Sequence, residues 1–214
     1  MLLHIYPCGP VAANMIFFGR DGAKTVAVVD PSDAALALAI LKDHGWTLSD
    51  ILVTHRHFDH LLGVAGLKKT TGAKIYISET DADGLRSGRA SLASMTGETQ
   101  EPVEPDVLLH DGDTFTAAGL SFRVLETPGH TAGGISFVCD EERCAFVGDT
   151  LFAGGYGRFD LPGGDFSALT HSIKNVLFEL PEDYIIYPGH EERTTVAEEK
   201  RSNPILYEGI PWFD

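Results

Sequence analysis

Three imidazoles and one carboxylate stand in the single run His55-Arg56-His57-Phe58-Asp59-His60. Neutral imidazole is the commonest protein metal ligand, and a carboxylate oxygen is a good companion donor for a divalent ion. The run follows the apolar stretch Ile51-Leu52-Val53, which reads as a buried strand, so the donors emerge at the mouth of a strand-to-loop turn. His55 and His57 flank Arg56, fall on one side of an extended backbone and can grip one ion together. Asp59 and His60 come as the chain turns toward Leu61-Leu62-Gly63-Val64, within reach of a second ion beside the first. Imidazoles crowded this closely repel on protonation unless something binds them. A metal site therefore explains the run better than a solvated loop does.

Three further segments carry a donor beside a glycine: Thr127-Pro128-Gly129-His130-Thr131, Val147-Gly148-Asp149-Thr150 and Pro188-Gly189-His190. Each follows an apolar run, Phe122 to Leu125, Cys144 to Val147 and Ile185 to Tyr187 respectively. Glycine allows a sharp turn and a close backbone approach, so each donor can swing inward at a shared sheet edge. The sum, five histidines and two aspartates, is enough for two metal ions.

The elements that must position these groups are short apolar strands interrupted by helical stretches. Ile16 to Gly19 and Thr25 to Asp30 read as a hairpin around Arg20 to Lys24, and Ala34 to Gly45 as a helix closed by a glycine. After strand Ile51 to Val53, the stretch Gly63 to Gly72 reads as a helix and Lys74 to Ile77 as a strand. The second half repeats the theme. Strands are expected at Phe115-Thr116 and Leu120 to Leu125, a hairpin at Ile135 to Cys139 and Cys144 to Val147, a helix at Phe166 to Glu179 and a last strand at Tyr184 to Tyr187. Thr194 to Arg201 reads as a helix start. Strands then helix, twice over, imply two sheets face to face with helices outside. With no Gly, Ser or Pro linker between the halves, one domain of two pseudo-repeats is expected over 1–214. Thr80 to Asp106 is the least regular stretch, and its Leu85, Leu92 and Met95 suit a lid over a cleft.

The combined motifs resemble the metallo-β-lactamase superfamily and, within it, the glyoxalase II-like hydrolases. The likeness runs from the first hairpin to about Leu206. It implies a four-layer αββα sandwich of α/β class. It also implies that His55, His57 and His130 hold one metal, that Asp59, His60 and His190 hold a second, and that Asp149 bridges them. Imidazole and carboxylate without thiolate suit zinc first, with iron or manganese as other candidates. Two such ions roughly 3.5–4 Å apart share a water and lower its pKa to near 7, and one of them takes the developing oxyanion. Asp59 would both ligate and orient that nucleophile, as the catalytic carboxylate. The implied reaction is hydrolysis of a small-molecule thioester of the S-lactoylglutathione type.

Gly148 to Phe159 resembles the family segment after the bridging aspartate, which helps bind the glutathione thiol end. Arg158 is thus a candidate contact for a substrate carboxylate, against the plainer reading of a salt bridge to Asp160 or Asp165. Tyr156 is a candidate for stacking on substrate or hydrogen-bonding it, and Asn14 for a supporting role near the bridging aspartate. The chain ends at Asp214, before the C-terminal glutathione-binding helical domain that full-length glyoxalase II carries, so a short-form hydrolase is expected. Gly157-Arg158-Phe159-Asp160 also matches a Gly-Arg-x-Asp segment of persulfide dioxygenases, which use a single iron; that reaction, or hydrolysis of another ester or lactone, is the alternative. The namesake lactamases place a cysteine where this chain has Asp149, which disfavours lactam hydrolysis.

Composition agrees with a small-molecule enzyme. The formal charge is −15, from 31 acidic and 16 basic residues, which disfavours a nucleic-acid partner. No signal peptide is visible, and no apolar run approaches the roughly 18 residues of a membrane span. Cys8, Cys139 and Cys144 are expected as buried free thiols, Cys139 and Cys144 facing each other across a hairpin, in a reducing cytoplasm. A monomer or homodimer is expected. His4, His44, His110 and His171 lack ligand spacing and are read as packing or surface groups.

Overall fold

Six strands build the first sheet. In the computed structural model, which describes residues 1–207, β1 (Leu2–Cys8), β2 (Ala13–Gly19) and β3 (Thr25–Val29) lead to α1 (Ala34–His44), β4 (Thr47–Leu52), α2 (Val64–Thr71) and β5 (Lys74–Ser78). Two short helices, α3 (Asp83–Arg86) and α4 (Ala93–Thr96), precede β6 (Val107–Leu109). The order is β1-β2-β3-β4-β5-β6, antiparallel up to β3 and parallel from there. The end of the span expected as one domain, 208–214, lies outside the described residues.

The second sheet draws on β7 (Thr114–Ala117), β8 (Leu120–Glu126), β9 (Ile135–Cys139) and β10 (Cys144–Gly148). A small hairpin of β11 (Leu151–Phe152) and β12 (Gly155–Tyr156) and the helix α5 (Phe166–His171) follow. Then come β13 (Ile185–Pro188), β14 (Thr194–Thr195) and α6 (Val196–Ser202), and the order in the sheet is β14-β13-β10-β9-β8-β7.

Side-chain alternation sorts the apolar residues into three layers. Along β2, Met15 and Phe17 pack with Ile40 and Leu41 of α1 and Leu67 of α2, while Ile16 and Phe18 turn the other way and meet Phe122, Phe137 and Phe146 of the second sheet. Along β9 and β10, Phe137 and Phe146 join that middle layer, whereas Val138, Ala145 and Val147 face outward onto Leu169, Ile173 and Val196. Three apolar layers separate helix, sheet, sheet and helix, which is the αββα sandwich the motifs implied.

Local signals set most boundaries. Asp33 caps α1 by accepting from Leu36 N at 3.0 Å, and Gly45 closes it. The sequence reading misses the edge strands β1 and β6, the small β11–β12 hairpin and the short helices α3 and α4, and three of the elements it expects have other bounds or neighbours. The strand expected over Ile51–Val53 already starts at Thr47, because β4 pairs on both sides with parallel neighbours. The single helix expected over Phe166–Glu179 is α5 followed by a π-helical turn (Ser172–Val176) and a 3-10 turn (Leu177–Glu179); the ladder changes where the Ser172 hydroxyl donates to Pro128 O at 2.7 Å. The strand expected to be last is followed by β14, which pairs with it. Cys139 and Cys144 do lie opposite each other across the β9–β10 hairpin, and all three cysteines are free and buried.

β4, β8, β10 and β13 matter most for chemistry, because a donor-bearing segment leaves each at its C-terminal end. β10 runs parallel to β13, and β8 is related to β10 by two antiparallel steps through β9. Their C-terminal ends therefore share one edge of the second sheet, and the end of β4 meets it from the first.

Candidate metal centre

His55, His57 and His60 leave the end of β4 buried, with 0–4% of their surface exposed. His130 follows β8, Asp149 follows β10 and His190 follows β13. The donor atoms of His55, His57 and His130 lie within 4.8 Å of one another, and so do those of Asp59, His60 and His190. Asp149 stands between the two triads. Its Oδ1 is 3.5 Å from His60 Nε2, and its Oδ2 is 3.5 Å from both His130 Nε2 and His190 Nε2. All seven residues singled out by the sequence as ligands thus converge on one point. Glycine makes the approach possible at Gly189, where a Cβ would overlap Asp149 Oδ1 and the His60 ring.

A carboxylate that the sequence reading left inside a strand organises the imidazoles from behind. Asp30 is 1% exposed, sits just after β3 at φ 48°, and accepts from Thr54 N at 2.8 Å and the Thr54 hydroxyl at 2.6 Å. With that hydroxyl proton committed to Asp30, Thr54 Oγ1 accepts from His55 Nδ1 at 2.9 Å. Asp30 Oδ2 also lies 3.0 Å from His60 Nδ1, and His130 Nδ1 donates to Arg158 O at 2.7 Å. In each case a fixed partner engages the outer ring nitrogen and turns the inner Nε2 toward the centre.

That inward array fits a cation. His55 Nε2, His57 Nε2, His60 Nε2 and Asp149 Oδ1 are buried and accept or donate no hydrogen bond, while His57 Nδ1 and His130 Nε2 approach to 2.8 Å. Buried polar atoms without partners cost stability unless another group satisfies them. Asp30 also lies within 4.8 Å of His55 and His60 donor atoms, but its hydrogen bonds already engage both oxygens. Electrostatics sort the site in two. Burial and the neighbouring imidazoles hold the His55 pKa well below the usual value and bring that of His57 down to about 3. Burial also opposes a charge on His60, but Asp149, Asp59 and Asp30 outweigh it and raise His60 well above the usual value. Burial would lift the Asp59 and Asp149 carboxyls; His60 and the other imidazoles hold both low instead.

The centre opens into a cleft of two lobes. One, of about 710 Å³, is lined by Asn14, Phe152, Arg158, Glu191 and Glu192 beside His190. The other, of about 470 Å³, is walled by Phe58, Leu92, Met95 and Leu161 over His57 and Asp59. Of the three apolar residues expected in a lid, Leu92 and Met95 reach this lobe and Leu85 instead anchors the segment in the core. Arg158 is on the cleft wall and is also paired with Asp160 at 2.8 Å. Tyr156 packs against the outer core with its ring 6.3 Å from Phe166, and neither lobe's lining includes it. Asn14 donates to Pro188 O at 3.1 Å and Glu191 O at 2.9 Å, so it braces the segment that carries His190 rather than Asp149 itself.

This fold and this donor array define a class: the chain matches the model of the metallo-beta-lactamase superfamily over residues 8–190 and belongs to that superfamily, whose members bind divalent metals. It is a metal-dependent hydrolase of that class. Among named relatives, it is 36% identical over 189 residues to hydroxyacylglutathione hydrolase GloC of Haemophilus influenzae, covering 87% of this chain and 89% of GloC. It is 44% identical over 181 residues to the hydroxyacylglutathione hydrolase of Ectopseudomonas mendocina, covering 83% of this chain but 62% of that longer protein. Among solved structures, BLEG-1 B3 metallo-beta-lactamase superposes with a TM-score of 0.90 at 33% identity, over 96% of this chain and 99% of that one. TTHA1623 in a di-iron-bound form superposes with a TM-score of 0.84 at 34% identity, over 95% of this chain and 100% of that one.

Proposed function

We propose that this hydrolase cleaves thioesters of the S-lactoylglutathione type at a pair of divalent ions, with zinc the first candidate and iron or manganese the others. In this reading His55, His57 and His130 hold one ion, Asp59, His60 and His190 the other, and Asp149 bridges them. The observation that carries it is the position of Asp149, 3.5 Å from three imidazole nitrogens drawn from both triads. The hydroxyacylglutathione hydrolases at 36–44% identity support the substrate class, and the di-iron form of TTHA1623 supports two ions.

Two ions held by these residues would supply a hydroxide at neutral pH and polarise the thioester carbonyl. The chain does the rest. Asp30, Thr54 and the Arg158 carbonyl orient the imidazoles of His60, His55 and His130 from behind, and loading an ion at the Asp59–His60 position would displace the proton that the surrounding carboxylates favour on His60. Asp59 is a ligand whose second oxygen orients the nucleophile, which makes it the catalytic carboxylate. Arg158 on the cleft wall is the candidate contact for substrate. Tyr156 acts at one remove, by packing under the loop that carries Arg158. Three buried free thiols favour a reducing compartment, the cytoplasm, and the hydrolase relatives favour a small-molecule substrate, acted on by a monomer or homodimer.

Thiol release from S-lactoylglutathione tests the proposal, using metal-stripped protein and protein restored with zinc, iron or manganese. Metal-dependent turnover of about one per second or faster is expected, within the ordinary enzyme range. Silence with every metal overturns the thioester. The likeness to BLEG-1 favours lactam hydrolysis as a second reading, and a chromogenic cephalosporin in the same assay separates the two. One tightly held iron per chain with oxygen consumption on a persulfide would instead mark the dioxygenase reaction.

A further inference from the structure

A cavity of about 380 Å³ adjoins the apolar lobe of the cleft, and three arginines, Arg56, Arg86 and Arg89, line it with Asp83 as their one acidic companion. In a chain with 31 acids and 16 bases, three guanidinium groups at one cavity run against the general charge. Leu92 lines both compartments, and Leu161 of the cleft is followed directly by Pro162 of the cavity. The two are successive stretches of one wall.

Arg56 arrives there through the alternation that aims its neighbours inward. His55 and His57 face the metal centre, and the side chain between them leaves on the opposite face, where its Nη2 donates to Pro162 O. Arg56 Nε is buried without a hydrogen bond, 3.9 Å from Asp81 Oδ1. Asp81 is engaged elsewhere, accepting from Arg56 N, Gly133 N and the Thr131 hydroxyl. Arg86 is held by Asp83 at 3.1 Å and Glu104 at 2.9 Å. Arg89 is exposed, and its guanidinium makes no ion pair or hydrogen bond among the described residues. The far lobe, by contrast, presents Glu191 and Glu192, and its one arginine, Arg158, is already paired with Asp160 at 2.8 Å, so an anionic group is favoured at the arginine end of the cleft.

We propose that the Arg56–Arg86–Arg89 cavity is an anion subsite that receives the terminal carboxylate of a substrate whose reacting carbonyl lies at the metal centre and whose apolar body runs along Leu92, Met95 and Leu161. A single unpaired guanidinium matches a singly charged, planar group, which a carboxylate is and a phosphate monoester at neutral pH is not. The position of the reacting carbonyl rests on the thioester reading above; the subsite itself does not.

The test therefore has two arms. In the first, calorimetry on zinc-loaded protein compares straight-chain dicarboxylates with monocarboxylates of equal length, across a length series. The dicarboxylate is expected to bind about tenfold tighter at the length that spans the two compartments, a change typical of one charge-assisted contact. In Arg89→Ala, an exposed position whose loss leaves the core intact, the ratio is expected to fall close to one, and Arg86→Gln to reduce it. No preference at any length, or a preference that Arg89→Ala leaves in place, overturns the subsite. The second arm measures hydrolysis of N-acetylcysteamine thioesters with and without a terminal carboxylate on the acyl chain, where the same ratio is expected in kcat/KM. If neither thioester is cleaved while the binding preference and its loss in Arg89→Ala stand, the thioester reading fails and the subsite survives. Cleavage of both with equal kcat/KM excludes the acyl carboxylate as the group recognised and overturns the substrate assignment.

Discussion

Asp149 is the residue on which the two triads depend. Replacing it by Ala removes a carboxylate placed against inward-facing nitrogens of both, so Asp149→Ala is expected to lose both ions; elemental analysis after dialysis checks this, and two tightly held metals would contradict the division of ligands. His190 is the most exposed of the five candidate ligand histidines, its side chain 21% accessible, and contacts Asp59 at 3.2 Å. His190→Ala is expected to lower occupancy of the Asp59–His60 position first, leaving about one ion per chain. Asp30 touches no inward-facing donor atom, but it orients His60 directly and His55 through Thr54. Asp30→Ala should weaken metal binding by about 10- to 100-fold, the usual cost of removing an orienting partner, as read by competition with a chromogenic chelator. Unchanged affinity would reduce Asp30 to a purely structural role.

At the scale of elements, the loops that carry the donors are held by close approaches a side chain would obstruct. Gly129 precedes His130 at φ 133°, and a Cβ there would overlap the backbone of Leu169 in α5. Gly72 ends α2 at φ 75° with nothing within 4 Å of where its Cβ would stand. Both substitutions by Ala force a left-handed backbone, roughly 1–2 kcal/mol, but only Gly129→Ala adds overpacking, about 1–3 kcal/mol more. Urea midpoints are therefore expected to fall further for Gly129→Ala, with a loss of metal because His130 must move. Equal midpoints would show that α5 yields without cost. These contacts lie between segments forty residues apart, and that is why the sequence reading found the glycine but not its partner.

For the molecule as a whole, the buried lone pairs at the centre tie metal binding to stability. An ion that binds the folded chain alone adds about 4 kcal/mol when its concentration is a thousandfold above its dissociation constant, so metal-stripped protein is expected to melt several degrees lower than loaded protein, and readdition to restore the difference. An unchanged melting temperature would mean that the donor array is not satisfied by a cation. Much of this molecule was legible in the chain itself. The seven candidate donors could be singled out because the segments that carry them each follow a short apolar run and a turn, and alternation along a strand is a local property. The helix Ala34–His44 was legible for the same reason, through its Asp33 and Gly45 boundaries. Tertiary structure alone decided the rest. Nothing near Asp30 in the sequence distinguishes it from the chain's other acids; it became an orienting group only when β3 was set beside β4. Tyr156 and Arg158 are two positions apart in one loop, yet one packs into the outer core and the other faces the cleft. Arg56, Arg86 and Arg89 became neighbours only when the segment after β5 folded back over the His-rich loop. Periodicity records which face a residue takes within its own element, whereas which elements meet depends on how two sheets bury their apolar faces against each other, and no local pattern contains that information.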